Sequence, residues 1–244
     1  MIKVDNLSVS YYGVEVVSNV SFEFEDGTLI GIIGPNGAGK STMIKAILGL
    51  IPKDSGVSTV DGEPIELYKK KIAYVPQRSD LDWDFPINVF DTVLMGTYPS
   101  LGLFKKPRHN EKELAKDSLE RVGMLDYADQ QIGELSGGQQ QRVFLARALA
   151  QQADIFFLDE PFVGIDVDSE KQIIKILKEL KADGKTVFVV HHDLSKVESY
   201  FDNLILINRE LIKAGSVKDV FVYETMAKAY ETQLGLPILK AVGV

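Results

Sequence analysis

Gly34-Pro35-Asn36-Gly37-Ala38-Gly39-Lys40-Ser41-Thr42 follows the apolar run Thr28-Leu29-Ile30-Gly31-Ile32-Ile33. It precedes a stretch that carries Ile44, Ile47 and Leu48 at helical spacing. The segment fits G-x-x-x-x-G-K-[ST] between a predicted strand and a predicted helix, the setting that motif requires. Its glycines let the backbone curl so that several N–H groups point inward, and the helix start adds positive potential. Such a cradle suits the phosphates of a nucleotide. Lys40 is expected to reach the terminal phosphates and Ser41 to ligate Mg²⁺. Gly34 through Thr42 are therefore nucleotide-binding candidates, with ATP and Mg²⁺ as the ligands. A continuous apolar run suits a strand covered on both faces. The stretch thus predicts an α/β protein, a phosphate-loop NTPase core with a parallel-rich sheet.

Farther along, Ile155-Phe156-Phe157-Leu158 runs into Asp159-Glu160-Pro161. Four apolar residues predict a buried strand, and ligands of such sheets bind at the strands' C-terminal ends. Asp159 is expected to hold Mg²⁺, directly or through water. Glu160 is the candidate base for the attacking water. A solvated acidic turn is the plainer reading of the acids, and the upstream loop argues against it.

Working outward, Ile2 to Phe24 reads as two or three short strands, the basis for an N-terminal antiparallel β subdomain. Ser21-Phe22-Glu23-Phe24-Glu25 alternates with period two and ends at an Asp26-Gly27 turn. Clear strand signals stop after residue 77. Helices are expected at about 88–96, 111–123 and 137–152. Strands resume at 155–158, 186–190 and 204–207. Ile173, Ile174, Leu177 and Leu180 form a helical stripe that ends near Gly184, and a final helix is expected over Thr225–Gln233. The expected organisation is one domain over 1–244, with 1–77 and 151–244 as the nucleotide-binding core and 78–150 as a helical insertion.

Composition excludes other classes. Of 244 residues, 45% are apolar and 25% charged, as in ordinary globular chains, which argues against disorder. No run approaches the length of a membrane span. The opening Met1-Ile2-Lys3-Val4-Asp5-Asn6 acquires charge at once, without a signal-peptide apolar stretch. Cysteine is absent, which excludes disulfides and zinc–thiolate sites and makes the cytoplasm the expected compartment. A net charge of −8 argues against a nucleic-acid partner but not against ATP, because the local loop governs that binding.

Leu135-Ser136-Gly137-Gly138-Gln139-Gln140-Gln141-Arg142 opens a predicted helix. Ser136 as N-cap and Gln139 three residues on form a capping box. Two glycines in the first turn cost about 1 kcal/mol each as helix formers. That cost makes sense if a phosphate must approach bare backbone. These residues resemble the signature of the ABC transporter ATPase family, and the resemblance covers nearly the whole chain. It implies that Ser136, Gly137, Gly138 and Gln139 close on ATP held by the phosphate loop of a second subunit, in a head-to-tail homodimer. It further implies that Gln77, after Ile72-Ala73-Tyr74-Val75-Pro76, senses Mg²⁺ and the γ-phosphate. His192, ahead of Asp193, matches the switch histidine, with His191 as the competing choice. Asp166 matches an aspartate that crosses between subunits, although Val163-Gly164 departs from the small polar residues common there. Tyr11 or Tyr12 is expected to stack on adenine, and spacing favours Tyr11.

Tyr74-Val75-Pro76-Gln77, Asp84-Phe85-Pro86-Ile87, Asp159 to Asp166, Val190-His191-His192-Asp193-Leu194 and Tyr200-Phe201-Asp202 carry a narrower resemblance. They are similar to the ATPases of manganese, zinc and iron importers, most of all the manganese branch. That resemblance implies a polytopic permease, an extracytoplasmic metal-binding protein as indirect partner, and a peripheral position on the cytoplasmic membrane face. With three histidines and no cysteine the chain lacks a convincing transition-metal cage, so metal selection is expected to fall to the partners. Trp83 and Phe85, if exposed, are natural anchors for a partner helix; the alternative places both in the core of the insertion. A soluble single-cassette ATPase in cofactor assembly and a sugar or amino-acid importer are the competing readings.

Overall fold

A computed structural model describes residues 1–101 and 105–230. Its strands are β1 (Ile2–Tyr11), β2 (Val14–Phe24), β3 (Leu29–Ile33), β4 (Ser55–Val60), β5 (Glu63–Pro64), β6 (Ile72–Val75), β7 (Ile155–Leu158), β8 (Thr186–Val190), β9 (Asn203–Asn208) and β10 (Glu210–Ser216). Its helices are α1 (Lys40–Ile47), α2 (Val89–Leu94), α3 (His109–Arg121), α4 (Gly137–Ala150), α5 (Val167–Ala182), α6 (Val197–Tyr200), α7 (Val217–Val220) and α8 (Tyr223–Tyr230). The chain groups into two compact units. One comprises Met1–Lys69 and Thr186–Val244, the other Lys70–Lys185.

In the first unit, β1 and β2 form an antiparallel hairpin through Tyr12 and Gly13. Both turn residues have positive φ, 51° and 79°, as a tight right-twisted hairpin demands. Ile2, Val4, Leu7 and Val9 are buried at alternating or near-alternating positions of β1. β4 pairs antiparallel with β1, and β5 with β4. Two long strands thus stand where two or three short ones were expected. β3 lies parallel to both β8 and β9, and all five residues of β3 and of β8 are buried. Each fully buried Ile or Val side chain contributes about 1.5–3 kcal/mol. β10 returns antiparallel to β9 and meets β2 in parallel at Glu210 and Ser18. α1 turns Met43, Ile44, Ala46 and Ile47 into the core. Of the final helix expected over 225–233, the part through Tyr230 is α8; residues 231–233 lie outside the described residues.

In the second unit, β6 and β7 pair in parallel, with Ile72 opposite Ile155 and Val75 opposite Leu158. α2, α3 and α4 pack on one another around Val93, Leu119 and Leu145. The expected helix over 88–96 is α2 up to Leu94, followed by a 3₁₀ stretch over Met95–Ser100. This stretch contains Pro99 and packs closely on α4: a Cβ on Gly96 would stand 2.1 Å from the Arg147 carbonyl oxygen. α5 carries the expected stripe, with Ile173, Ile174, Ile176, Leu177 and Leu180 buried. The result is a mixed α/β fold with an antiparallel N-terminal sheet, parallel central strands and a helical region. Among the described residues no helix is long and apolar enough to cross a membrane.

Candidate functional site

The phosphate-loop residues, Tyr11 and His192 fall in the first unit. Gln77, Ser136–Gln139, Asp159, Glu160 and Asp166 fall in the second.

The loop after β3 is held by backbone geometry that only glycine takes easily. Gly34, Gly37 and Gly39 have φ of 157°, 78° and 90°. A Cβ on Gly34 would stand 2.0 Å from the Ile207 carbonyl oxygen, and one on Gly39 would stand 2.7 Å from that of Val16. The loop is therefore pressed against its neighbouring strands. Asn36 and Gly37 stay exposed at its crest. Lys40 is buried, and its Nζ donates to the Gly34 and Pro35 carbonyl oxygens at 2.9 Å each. α1 starts without a side-chain cap and without an acid in its first turn. Its leading N–H groups and its dipole therefore suit an anion. These features fit the phosphates of a nucleotide. Ser41 and Thr42 are the next residues of α1, both half-buried.

Tyr11 ends β1 and is 41% exposed, whereas Tyr12 sits in the turn, fully exposed. Neither ring belongs to the core. The two histidines after β8 separate sharply. His191 is buried, with its ring 5.5 Å from that of Phe201 and 5.8 Å from that of Tyr200. His192 is exposed.

In the second unit, Asp159 is fully buried at the end of β7, and its N–H donates to the Val75 carbonyl. The Tyr74 hydroxyl donates to Asp159 Oδ2 at 3.5 Å. Burial, with the Asp159 charge beside it, raises the Tyr74 phenol far above its ordinary range, so that hydroxyl stays a donor. A buried carboxylate at a strand end is the donor type a hard cation takes, so Asp159 fits Mg²⁺. Glu160 sits in the left-handed region, φ 51°, a conformation that costs a non-glycine residue of order 1–3 kcal/mol. Its carboxylate Oε2 accepts from Gln77 Nε2 at 2.8 Å. Sequence spacing gave no hint of that contact. It uses the amide nitrogen of Gln77, and cation ligation would use the oxygen.

Ser136 caps α4 as expected. Its Oγ accepts from the Gln139 N–H, and its own N–H donates to Gln139 Oε1 at 2.8 Å. The two glycines answer a packing demand as well. A Cβ on Gly137 would stand 2.9 Å from the Gly164 carbonyl oxygen, and one on Gly138 would stand 2.3 Å from Ser169 Oγ. Asp166 is the N-cap of α5. It accepts from the Asp168 and Ser169 N–H groups and from the Ser169 hydroxyl. That hydroxyl leads the bonds that hold its carboxyl below the ordinary range.

Of the two readings open for Trp83, exposed anchor or packed residue, the structure shows the packed one. Its ring packs edge-on against Phe144, centroids 5.6 Å apart, and its Nε1 donates to the Arg78 carbonyl. Phe85 remains 59% exposed. Between these two aromatics, Trp83 belongs to the helical region's own packing.

Comparison with known proteins places these features in a family. The ABC transporter family matches residues 17–163. The manganese transport system ATP-binding protein MntB of Halalkalibacterium halodurans is 55% identical over 234 residues, covering 96% of this chain and 93% of the relative. The zinc transport system ATP-binding protein TroB of Treponema pallidum is 51% identical over 229 residues, covering 94% and 86%. Among solved structures, the dimeric bacterial ABC transporter cassette MJ0796 is similar with a TM-score of 0.79 and 28% identity, covering 89% of this chain and 99% of that one. With the phosphate loop, the strand-end acids and the capped signature helix in one chain, this protein belongs to the ABC transporter family of ATP-binding cassettes.

Proposed function

We propose that this chain is the ATP-hydrolysing subunit of an importer of divalent transition-metal ions, with manganese as the cargo. Lys40 and the loop N–H groups would take the β- and γ-phosphates, Ser41, Gln77 and Asp159 would complete the shell of Mg²⁺, and Tyr11 would stack on adenine. Mg²⁺ supplies charge neutralisation at the phosphates when bound. Glu160 would accept the proton of the attacking water, and His192 would hold the γ-phosphate. Ser136 to Gln139 and Asp166 would serve the nucleotide of a second copy, in a head-to-tail homodimer. The exposed Phe85 supports docking of segment 78–150 on a polytopic permease. The protein would then work at the cytoplasmic membrane face, and an extracytoplasmic metal-binding protein would deliver cargo to the permease.

The observation that carries the cargo assignment is the 55% identity to a manganese-system subunit over almost the full chain. A zinc reading has its own support in the 51% identity to TroB. The test is reconstitution in lipid vesicles with the permease and the metal-binding protein. ATP-dependent manganese uptake that zinc competes with poorly is the expected result. Uptake of zinc alone overturns the cargo, and absence of ATP hydrolysis overturns the function.

A further inference from the structure

Arg78 is absorbed neither by the fold nor by the proposed chemistry, yet it stands between segments that both need. It follows Gln77, whose amide holds the Glu160 carboxylate at 2.8 Å. Its Nε donates to Gln140 Oε1 at 2.9 Å. Gln140 is 2% exposed in the first turns of α4, and its Nε2 donates in turn to the Ile132 carbonyl. The Arg78 guanidinium lies 5.5 Å from the Trp83 ring centre, and the Trp83 indole N–H donates back to the Arg78 carbonyl. A Cβ added on Gly137 would stand 3.4 Å from the Arg78 Cζ, ordinary contact distance, so the guanidinium lies beside the first turn of α4. These surroundings are an amide oxygen, an indole face and glycine backbone, all neutral. They take the planar, multi-donor shape of guanidinium as well as its charge, which the indole face attracts.

We propose that Arg78 is a positioning residue that ties the Gln77 loop to the first turn of α4, so that Glu160 and the Ser136–Gly138 segment are held as one body. This rests on the ATPase reading above.

The experiment compares the parent chain with Arg78→Ala, Arg78→Lys, Gln140→Leu and Arg78→Ala/Gln140→Leu. For Arg78→Ala, kcat is expected to fall about tenfold to a hundredfold, as for a misplaced catalytic group, while KM stays within about twofold. Lysine is expected not to restore the rate, because its point charge lacks the in-plane Nε–H. The double variant is expected to be no worse than the more impaired single one, because both substitutions break the same link. Should Arg78→Ala fail to fold, Arg78→Lys and Gln140→Leu carry the same kinetic test. An independent reading comes from amide hydrogen exchange, in which residues 137–141 and 77–85 should both exchange faster in Arg78→Ala. A parent-like kcat, full rescue by lysine, or additive losses overturn the proposal. Unchanged exchange at residues 137–141 overturns it even if the parent hydrolyses no ATP, an outcome that by itself defeats only the ATPase reading.

Discussion

Two glycine-rich segments open two helices in this chain, and they use glycine for different reasons. In Gly34–Lys40 the three glycines have positive φ, Gly34 and Gly39 lie against strand carbonyls, and α1 starts without a side-chain cap. In Ser136–Gly138 the glycines do not take positive φ; they make room for Gly164 and Ser169, and a capping box serves the N–H groups of Gln139 and Ser136. The first segment opens on an uncapped helix start, as an anion would require. The second is a self-capped helix start, where a phosphate would meet the Gly137 and Gly138 backbone beside a cap already in place. Two similar compositions thus differ in readiness for a ligand, and the difference lies in who satisfies the backbone donors.

The largest expected effect tests whether the self-capped segment serves a second nucleotide. Glu160→Gln should retain ATP affinity and lose hydrolysis by roughly 10²–10⁴-fold, the usual scale for a positioned base. Glutamine keeps the shape and still offers Gln77 Nε2 an acceptor, so the contact at 2.8 Å can survive. The variant should run as an ATP-dependent dimer on size exclusion, and adding Ser136→Arg should abolish that dimer. A double variant that still dimerises with ATP would mean that the segment faces no second nucleotide.

Lys40→Ala is next in size. The buried ammonium bridges two loop carbonyls at 2.9 Å and is the charge expected to meet the terminal phosphates. Its loss should weaken ATP binding about a hundredfold, since charge-assisted hydrogen bonds are worth about 1.5–3 kcal/mol each. Calorimetric titration with unchanged affinity would remove the cradle from the first segment.

What the sequence made legible follows the same division. Strict motifs and long apolar runs announced the phosphate loop, β7, β8 and the capping box of Ser136, because each is a local demand of backbone or burial. β4 and β10 escaped, because Ser55–Val60 and Glu210–Ser216 are too polar and half-buried to give a clean alternation. The Gln77–Glu160 contact escaped because it joins residues 83 positions apart. Trp83 stays open between exposed anchor and core along the chain, because Phe144, which packs against it, is remote in sequence. The glycines of the signature were read from one possible ligand, and the crowding by Ser169 could not be seen along the chain.

That crowding makes a third prediction. Gly138→Ala would put a methyl 2.3 Å from Ser169 Oγ and 2.7 Å from its Cβ. Overpacking of this kind costs about 1–3 kcal/mol, partly offset by about 1 kcal/mol of helix propensity gained over glycine. A net loss of about 1 kcal/mol is expected in denaturant unfolding. Ser169→Gly in the same chain should recover part of it. Undiminished stability with loss of the ATP-dependent dimer would instead assign the glycine to nucleotide approach, and the contrast between the two segments would shrink.

The smallest effect belongs to Gly37, at the exposed crest of the phosphate loop. A Cβ there meets nothing within 4 Å, so alanine creates no clash. The whole penalty must come from φ at 78°, where an L side chain crowds its own carbonyl by about 1–2 kcal/mol. Asparagine visits this region more readily than alanine, because its short polar side chain bonds locally to the backbone. Gly37→Asn should therefore cost less than Gly37→Ala in unfolding free energy, an ordering opposite to that expected from size. At Gly138, where space is the constraint and φ is not left-handed, asparagine should cost more than alanine. Measuring the four variants by chemical denaturation tests the comparison directly. If asparagine is the worse replacement at both positions, crowding governs both segments, and left-handed backbone is not what distinguishes the phosphate loop.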